Sequence, residues 1–123
     1  MELKKKIEAQ KKLSLDEERK LIESKNLPLL KKYFQYTSVV YPDNEVQLVY
    51  NLDKTNVLKM YIKCYGFSSE HAQAACAKLC DPKFVKLMLK EELVLHENVY
   101  QELLRRGDNE LLKVYEEEWG YQQ

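Results

Sequence analysis

The chain is poor in residues that break helices. Its 123 residues include only three glycines and three prolines, so long irregular stretches are not expected. It has no apolar run of about 18 residues, the length that a membrane span needs. Its first residues, Met-Glu-Leu-Lys-Lys-Lys-Ile, lack the apolar stretch of a signal peptide. The formal net charge is +0, which argues against a strongly electrostatic nucleic-acid binder.

Cysteine is also scarce, and its spacing does not fit a disulfide scaffold. The chain has three cysteines, Cys64, Cys76 and Cys80, and this odd number predicts a reducing, cytoplasmic setting. Together with His71 they are candidate zinc ligands, but their spacing is not that of a zinc finger or ribbon. A cysteine could act as a nucleophile with His71 or His96 as the base, but the sequence marks no third residue that would orient that base. We therefore predict no metal, no cofactor and no catalytic residue.

The main feature present is a repeat. Apolar residues recur in one column at Leu30, Leu58, Val85 and Leu112, with spacings of 28, 27 and 27 residues. A fixed period in this range is typical of stacked repeats, in which neighbouring units bury each other's apolar faces. The predicted fold is an all-α, right-handed α-solenoid of four two-helix repeats. The predicted units cover residues 14–41, 42–68, 69–95 and 96–123.

Helix-end signals support two helices in each unit. Ser14 with Glu17 is a predicted capping box that opens the array. Asp81, followed by proline, is a predicted N-cap of a second helix, and the same column holds Asn26 and Asp108. Second helices are predicted to end at Gly66 and at Gly120, each as a left-handed C-cap. Residues 1–13 are predicted to form a lead helix or to fray. The tripeptide Arg106-Gly107-Asp108 is interpreted as a turn followed by a cap.

The third unit resembles a known repeat family. Its sequence Ala72-Gln-Ala-Ala-Cys-Ala-Lys-Leu-Cys-Asp-Pro82, followed by Phe84-Val85 and Met88-Leu89, resembles the short HEAT-like repeat. In that family an alanine-rich helix leads to Leu-Gly-Asp-Pro and a second amphipathic helix, and Cys80 stands at the glycine position here. The other units have no proline at this point. Such arrays are mostly protein-binding scaffolds, so the resemblance implies that role and no catalytic residue.

Lysines form the most distinctive polar pattern. One column holds Lys31, Lys59, Lys86 and Lys113, and stacking is expected to place them in a row. Lys63 and Lys90 lie four residues further on, on the same helix face. These six lysines are the candidate partner-binding residues: Lys31, Lys59, Lys63, Lys86, Lys90 and Lys113.

Function can be interpreted in three ways. The leading hypothesis is a non-catalytic protein-interaction module whose lysines dock an acidic segment. The alternatives are a nucleic-acid-binding repeat protein that uses the same lysines and an enzyme with a site between helices. For the lysines themselves, the alternative is that they only solvate the helices. Tyr36, Tyr65 and Trp119 lie one turn beyond the core column and are candidates for partner contact or for packing beneath the next unit.

Overall fold

The computed structural model describes residues 2–38 and 40–120, and within them it contains nine α-helices and no strand. The all-α prediction is therefore confirmed. None of these helices has the length and apolar character to cross a bilayer. The helices are α1 (Glu2–Glu8), α2 (Leu15–Ser24), α3 (Leu27–Tyr36), α4 (Pro42–Leu52), α5 (Asn56–Cys64), α6 (Glu70–Leu79), α7 (Pro82–Glu91), α8 (Glu97–Arg106) and α9 (Asn109–Trp119).

Six of the described helices, α2, α3, α5, α6, α7 and α9, begin at a residue whose side chain accepts from a first-turn N–H. Ser14 Oγ accepts from the Glu17 N–H while the Glu17 carboxylate accepts from the Ser14 N–H, which confirms the capping box. Thr55 caps α5 through the N–H of Leu58. The caps predicted in the shared column are confirmed at Asn26, Asp81 and Asp108.

The helix ends are predicted less well. Gly66 has a φ of +72°, the left-handed conformation that follows a helix without steric cost in glycine. Gly120 has a φ of −59°, in the right-handed region, so the prediction of a left-handed cap there is wrong. The predicted residues 121–123 of the last unit lie outside the described residues.

Helix contacts follow an alternating order. The first helices contact each other in the order α2, α4, α6, α8, and the second helices do so in the order α3, α5, α7, α9. Helix α1 packs on α3 at the start of the second series. Contacts of α4 with α5, α6 with α7 and α8 with α9 join the two series. In the first three predicted units, the second helix of the unit therefore lies beside the second helix of the following unit.

The core column agrees with the repeat except in the last unit. Leu30, Leu58 and Val85 have no solvent exposure. Leu112 packs against the core but is only half-buried, whereas the adjacent Leu111 is fully buried. Among the described helices, α9 has α7 and α8 beside it and no further second helix on its outer side, so only its inner face is covered.

A buried carboxylate closes each of the first two connections between units. Glu18, the fourth residue of α2, accepts from the Tyr33 hydroxyl at 2.5 Å and from the N–H of Tyr41, the N-cap of α4, at 3.0 Å. Glu45, the fourth residue of α4, accepts from the Tyr61 hydroxyl at 2.5 Å and from the N-cap N–H of α6 at 2.7 Å. Burial raises the pKa of the Glu18 carboxyl and of both phenols. Each carboxylate therefore joins three helices.

The third connection uses an amide. Gln73, the fourth residue of α6, accepts from the N–H of His96, the N-cap of α8, at 2.9 Å. Its Nε2 donates to the carbonyl oxygens of Phe67 and Val94, each at 3.0 Å. The second-helix position that holds tyrosine in the first two units is Met88 here, which offers no hydroxyl. We call Glu18, Glu45 and Gln73 the junction residues.

A further carboxylate supports the third junction. Glu92, at the C-terminal end of α7, accepts from the Phe67 N–H at 2.7 Å. Burial, with repulsion from Glu45, raises the pKa of the Glu92 carboxyl to about 7. A Cβ on Gly66 would lie 2.9 Å from a Glu92 carboxylate oxygen, so glycine is needed there for both its φ and the close approach.

Candidate functional site

The candidate lysines lie on four consecutive second helices. Lys31 is on α3, Lys59 on α5, Lys86 on α7 and Lys113 on α9, and these helices contact each other in that order. Lys63 and Lys90 follow on α5 and α7. All six are exposed except Lys86, which is half-buried. We call these six residues the lysine face.

One of the six lysines is neutralised within the protein. The Lys86 ammonium forms an ion pair with the carboxylate of Glu110 on α9. Within residues 2–38 and 40–120, the other five lysines have no acidic partner within 4 Å. Two glutamates that lie close to the lysines in the repeat register are occupied elsewhere: Glu17 pairs with Lys6 at 2.5 Å, and Glu45 is a junction residue.

A groove lies between α5 and α7 and includes part of the lysine face. Its floor is formed by Phe84 and Leu87, both half-buried, and its volume is about 290 Å³. Three lysines line it together with Asn56, and no acidic residue does. The lysines are Lys54 in the turn before α5, Lys59 on α5 and Lys83 on α7.

The equivalent positions between α7 and α9 carry a different charge pattern. One repeat further along the chain, Lys54 is replaced by Asp81, Asn56 by Lys83, Lys59 by Lys86 and Lys83 by Glu110. Glu110 therefore lies opposite Lys86 and forms the ion pair with it. Because its charges cancel, this second site offers little net attraction for an anion. The lining of the α5–α7 groove, by contrast, holds three lysines and no carboxylate.

The cysteines lie in different environments. Cys76 and Cys80 are buried and Cys64 is exposed. Hydrogen bonding to Cys80 and burial raise the pKa of the Cys76 thiol well above its usual value, which opposes formation of a nucleophilic thiolate. In the described part of the chain, His, Cys, Asp and Glu form no group of three or more that could hold a metal ion.

The Arg106-Gly107-Asp108 tripeptide is part of the helix connection. Arg106 donates to the carbonyl oxygen of Ala77 at 3.0 Å. Gly107 is the left-handed C-cap of α8, and Asp108 accepts from the backbone N–H groups that begin α9. Each of the three residues therefore has a structural role in this turn.

The aromatic candidates are held by hydrogen bonds to earlier parts of the chain. Each donates to a backbone carbonyl oxygen that precedes its own predicted unit, at 2.7 Å in all three cases: Tyr36 to Lys11, Tyr65 to Thr37 and Trp119 to Leu89. Tyr65 and Trp119 therefore bind the preceding predicted unit, and Tyr36 binds the segment that precedes the first unit. Trp119 also lines a cavity of about 570 Å³ together with Tyr100 of α8 and Tyr115 of α9.

Sequence reasoning overlooked two lysines of the groove. Lys54 and Lys83 lie in columns that contain no other lysine, so a search for conserved columns does not find them. The available signal was the column Pro28, Asn56, Lys83 and Glu110, which changes from uncharged to positive to negative along the chain. Such a change of charge within one column shows which unit has a surface charge that differs from that of its neighbours.

Comparisons with protein-family models, with curated proteins and with solved structures gave no match.

Proposed function

We propose that this chain is a non-catalytic protein-interaction module that binds its partner through the lysine face. The architecture that we propose is a right-handed α-solenoid of four two-helix repeats, similar to short HEAT-like repeats. The 27- to 28-residue spacing of the core column and the alternating helix contacts support it. In such a stack, residues of one column lie on neighbouring helices about 8 to 10 Å apart.

The observation that carries this proposal is the uncompensated positive charge of the second helices. Five of the six lysines are exposed and have no acidic partner among the described residues. The chain as a whole has a formal net charge of +0. The positive charge is therefore local, as expected for a surface that selects an acidic partner and sets the rate and orientation of docking.

The strongly perturbed acids and phenols support a non-catalytic function. Glu18, Tyr33 and Tyr61 are hydrogen-bonded at the junctions, and Glu92 binds the Phe67 N–H. Shifted pKa values are typical of active sites but also of structural networks, and these groups connect helices. Free cysteines at Cys64, Cys76 and Cys80 support a reducing, cytoplasmic setting as part of the same proposal.

Charge reversal on the lysine face tests the proposal. Proteins that the wild type captures from the native cell are identified and purified. Each is then titrated against the wild type and against a double variant that carries Lys59→Glu and Lys63→Glu. The matched control carries Lys20→Glu with Lys78→Glu, an equal change of charge at exposed positions of α2 and α6. We expect the first variant to lose binding and the control to keep it, with melting temperatures within a few degrees for all three.

A salt titration separates this function from its main alternative. Binding to a nucleic-acid backbone falls by orders of magnitude between about 50 and 200 mM salt. If a purified oligonucleotide shows that dependence and competes with the partner protein for wild type, the nucleic-acid alternative replaces the proposal. Equal partner binding by the Lys59→Glu, Lys63→Glu variant would place the interface elsewhere.

A further inference from the structure

We infer that the α5–α7 groove binds a bulky apolar side chain flanked by carboxylates, so that the partner segment is acidic and carries a phenylalanine or a similar residue. This inference rests on the proposed protein-binding function and specifies the partner's chemistry. The lysines of the groove are Lys54, Lys59 and Lys83, and its floor is Phe84 with Leu87.

The charges around the groove favour an anionic segment. Its lining contains three ammonium groups and no carboxylate. The acidic side chains nearest along the chain are both held by backbone N–H groups. Asp53 accepts from the N–H of Asp81 at 3.2 Å, and Asp81 accepts from the N–H of Lys83 at 3.0 Å. An incoming carboxylate thus meets lysines whose charge is not already used within the described residues.

The floor and the size of the groove favour a single apolar side chain. Phe84 and Leu87 remain half-exposed in the groove although both pack against the core. A volume of about 290 Å³ lies at the lower limit for small-molecule pockets, which span about 300 to 1,000 Å³. Burial of one large side chain fits this space and removes apolar surface on both partners from water.

The position of the groove adds to the attraction. It lies along the first turns of two helices. Asn56 and Lys59 are within the first four residues of α5, and Lys83 and Phe84 are within the first four residues of α7. Thr55 and Asp81 already accept first-turn N–H groups. The helix dipoles therefore contribute only a favourable field, and the lysine ammonium groups make the direct contacts.

The neighbouring site shows how the groove can be neutralised. Between α7 and α9, Glu110 takes the place of Lys83 and pairs with Lys86, which takes the place of Lys59. Lys83→Glu should therefore reproduce this pair by placing a carboxylate opposite Lys59. Conversely, Glu110→Lys should release Lys86 and make the net charge of the second site positive.

The test uses two labelled peptides and two variants of the full chain. One peptide is rich in glutamate with a single central phenylalanine, and its twin has alanine at that position. We expect the phenylalanine peptide to bind wild type about tenfold or more tightly than its twin, the effect of burying one large side chain. Lys83→Glu should lose at least that factor, Glu110→Lys should bind at least as tightly as wild type, and Lys78→Glu serves as the control.

The outcomes distinguish this inference from the function on which it rests. Equal binding of both peptides, with loss in Lys83→Glu, would overturn the apolar pocket and leave charge-driven protein binding in place. Failure of both peptides, together with an unchanged partner affinity in the Lys59→Glu, Lys63→Glu variant, would overturn both. Tighter binding of a single-stranded oligonucleotide than of the phenylalanine peptide would overturn the inference in favour of nucleic acid. Unfolding midpoints of every variant show that losses are not caused by misfolding.

Discussion

The first two junctions and the third solve the same structural problem with different chemistry. At each one, a residue at the fourth position of a first helix accepts from the N-cap N–H of the next first helix. Glu18 and Glu45 also accept from a tyrosine hydroxyl. Gln73 instead donates to two carbonyl oxygens, because Met88 replaces tyrosine and the carbonyls of Phe67 and Val94 come within reach.

This difference shows that the repeat preserves an acceptor and not a charge. A carboxylate can only accept, whereas an amide both accepts and donates. All hydrogen-bond partners of Glu45 are donors, so a carboxylate is satisfied there. Carbonyl oxygens and the Glu92 carboxylate surround Gln73, so a second carboxylate at that position would be repelled.

The largest expected effect comes from making the third junction like the first two. Gln73→Glu leaves the carbonyls of Phe67 and Val94 without their donor and places a new carboxylate near Glu92, whose Oε1 lies 3.5 Å from Gln73 Nε2. We expect a loss of about 3 to 5 kcal/mol of unfolding free energy at pH 8. Urea denaturation measures it, and the loss should shrink at pH 5 because a protonated carboxyl can donate. A pH-independent loss would contradict this explanation.

Removing a carboxylate acceptor from an inner junction should have the next largest effect. Glu45→Ala leaves the Tyr61 hydroxyl and the N–H groups of Ser68 and Ser69 without their acceptor. The expected cost is about 2 to 4 kcal/mol, since unsatisfied buried donors are only partly offset by the loss of a buried charge. Glu70→Ala, at an exposed position of α6, is the control and should change the unfolding free energy by less than about 0.5 kcal/mol.

The third junction should also give the protein a pH dependence. Because the pKa of Glu92 is raised from 4.5 to about 7 in the folded state, the folded protein holds this proton more tightly than the unfolded chain. Stability should therefore be greatest below pH 4.5 with respect to this group and fall as pH rises to about 7. Allowing for its partial exposure, the fall should be about 1 to 2 kcal/mol.

Substitution of Glu92 checks that assignment. Glu92→Gln removes the titrating group and retains an oxygen that can accept from the Phe67 N–H. Thermal unfolding measured across pH 4 to 8 should give a flatter profile for this variant than for wild type. A smaller fall should remain, because burial also raises the pKa of Glu18. An unaltered profile would show that another group causes the fall.

The smallest expected effect compares tyrosines with and without a carboxylate partner. Tyr61→Phe removes one hydrogen bond to buried Glu45 and should cost about 1 kcal/mol. Tyr33→Phe should cost a similar amount through Glu18. Tyr115→Phe should cost less than about 0.5 kcal/mol, since Tyr115 in the same column faces the ring of Tyr100 at a centroid distance of 4.9 Å. Denaturant midpoints for the three variants measure the order.

Much of the fold follows from the sequence because packing and capping are local signals. The apolar columns locate the helices, and Ser14, Asn26, Asp81 and Asp108 begin them as predicted. The junction carboxylates could not be predicted in this way. A glutamate on an amphipathic helix is ordinarily assigned to a solvated face, yet Glu18 is 0% and Glu45 1% exposed. Their signal is long-range, a glutamate followed 15 or 16 residues later by tyrosine.

The candidate site is predicted only in part from the sequence. The lysine column lies on consecutive second helices, but pairing of Lys86 with Glu110 depends on which residues face each other across α7 and α9. The groove is likewise formed by residues from a turn and two helices, so Lys54 and Lys83 share no periodic pattern with Lys59. A periodic pattern reveals only residue types that recur in every unit, such as the column of Lys59. The groove also depends on Lys54 and Lys83, which do not recur.

The indole of Trp119 has a consequence for how this protein is observed. It is the single tryptophan of the chain, and its Nε1 donates to the Leu89 carbonyl oxygen across α7 and α9. Intrinsic tryptophan emission therefore reports on that seam alone, whereas far-ultraviolet circular dichroism reports on all helices together. Agreement between the two signals during denaturation means that the protein unfolds in one cooperative transition. An earlier change in emission means that its last hairpin detaches first.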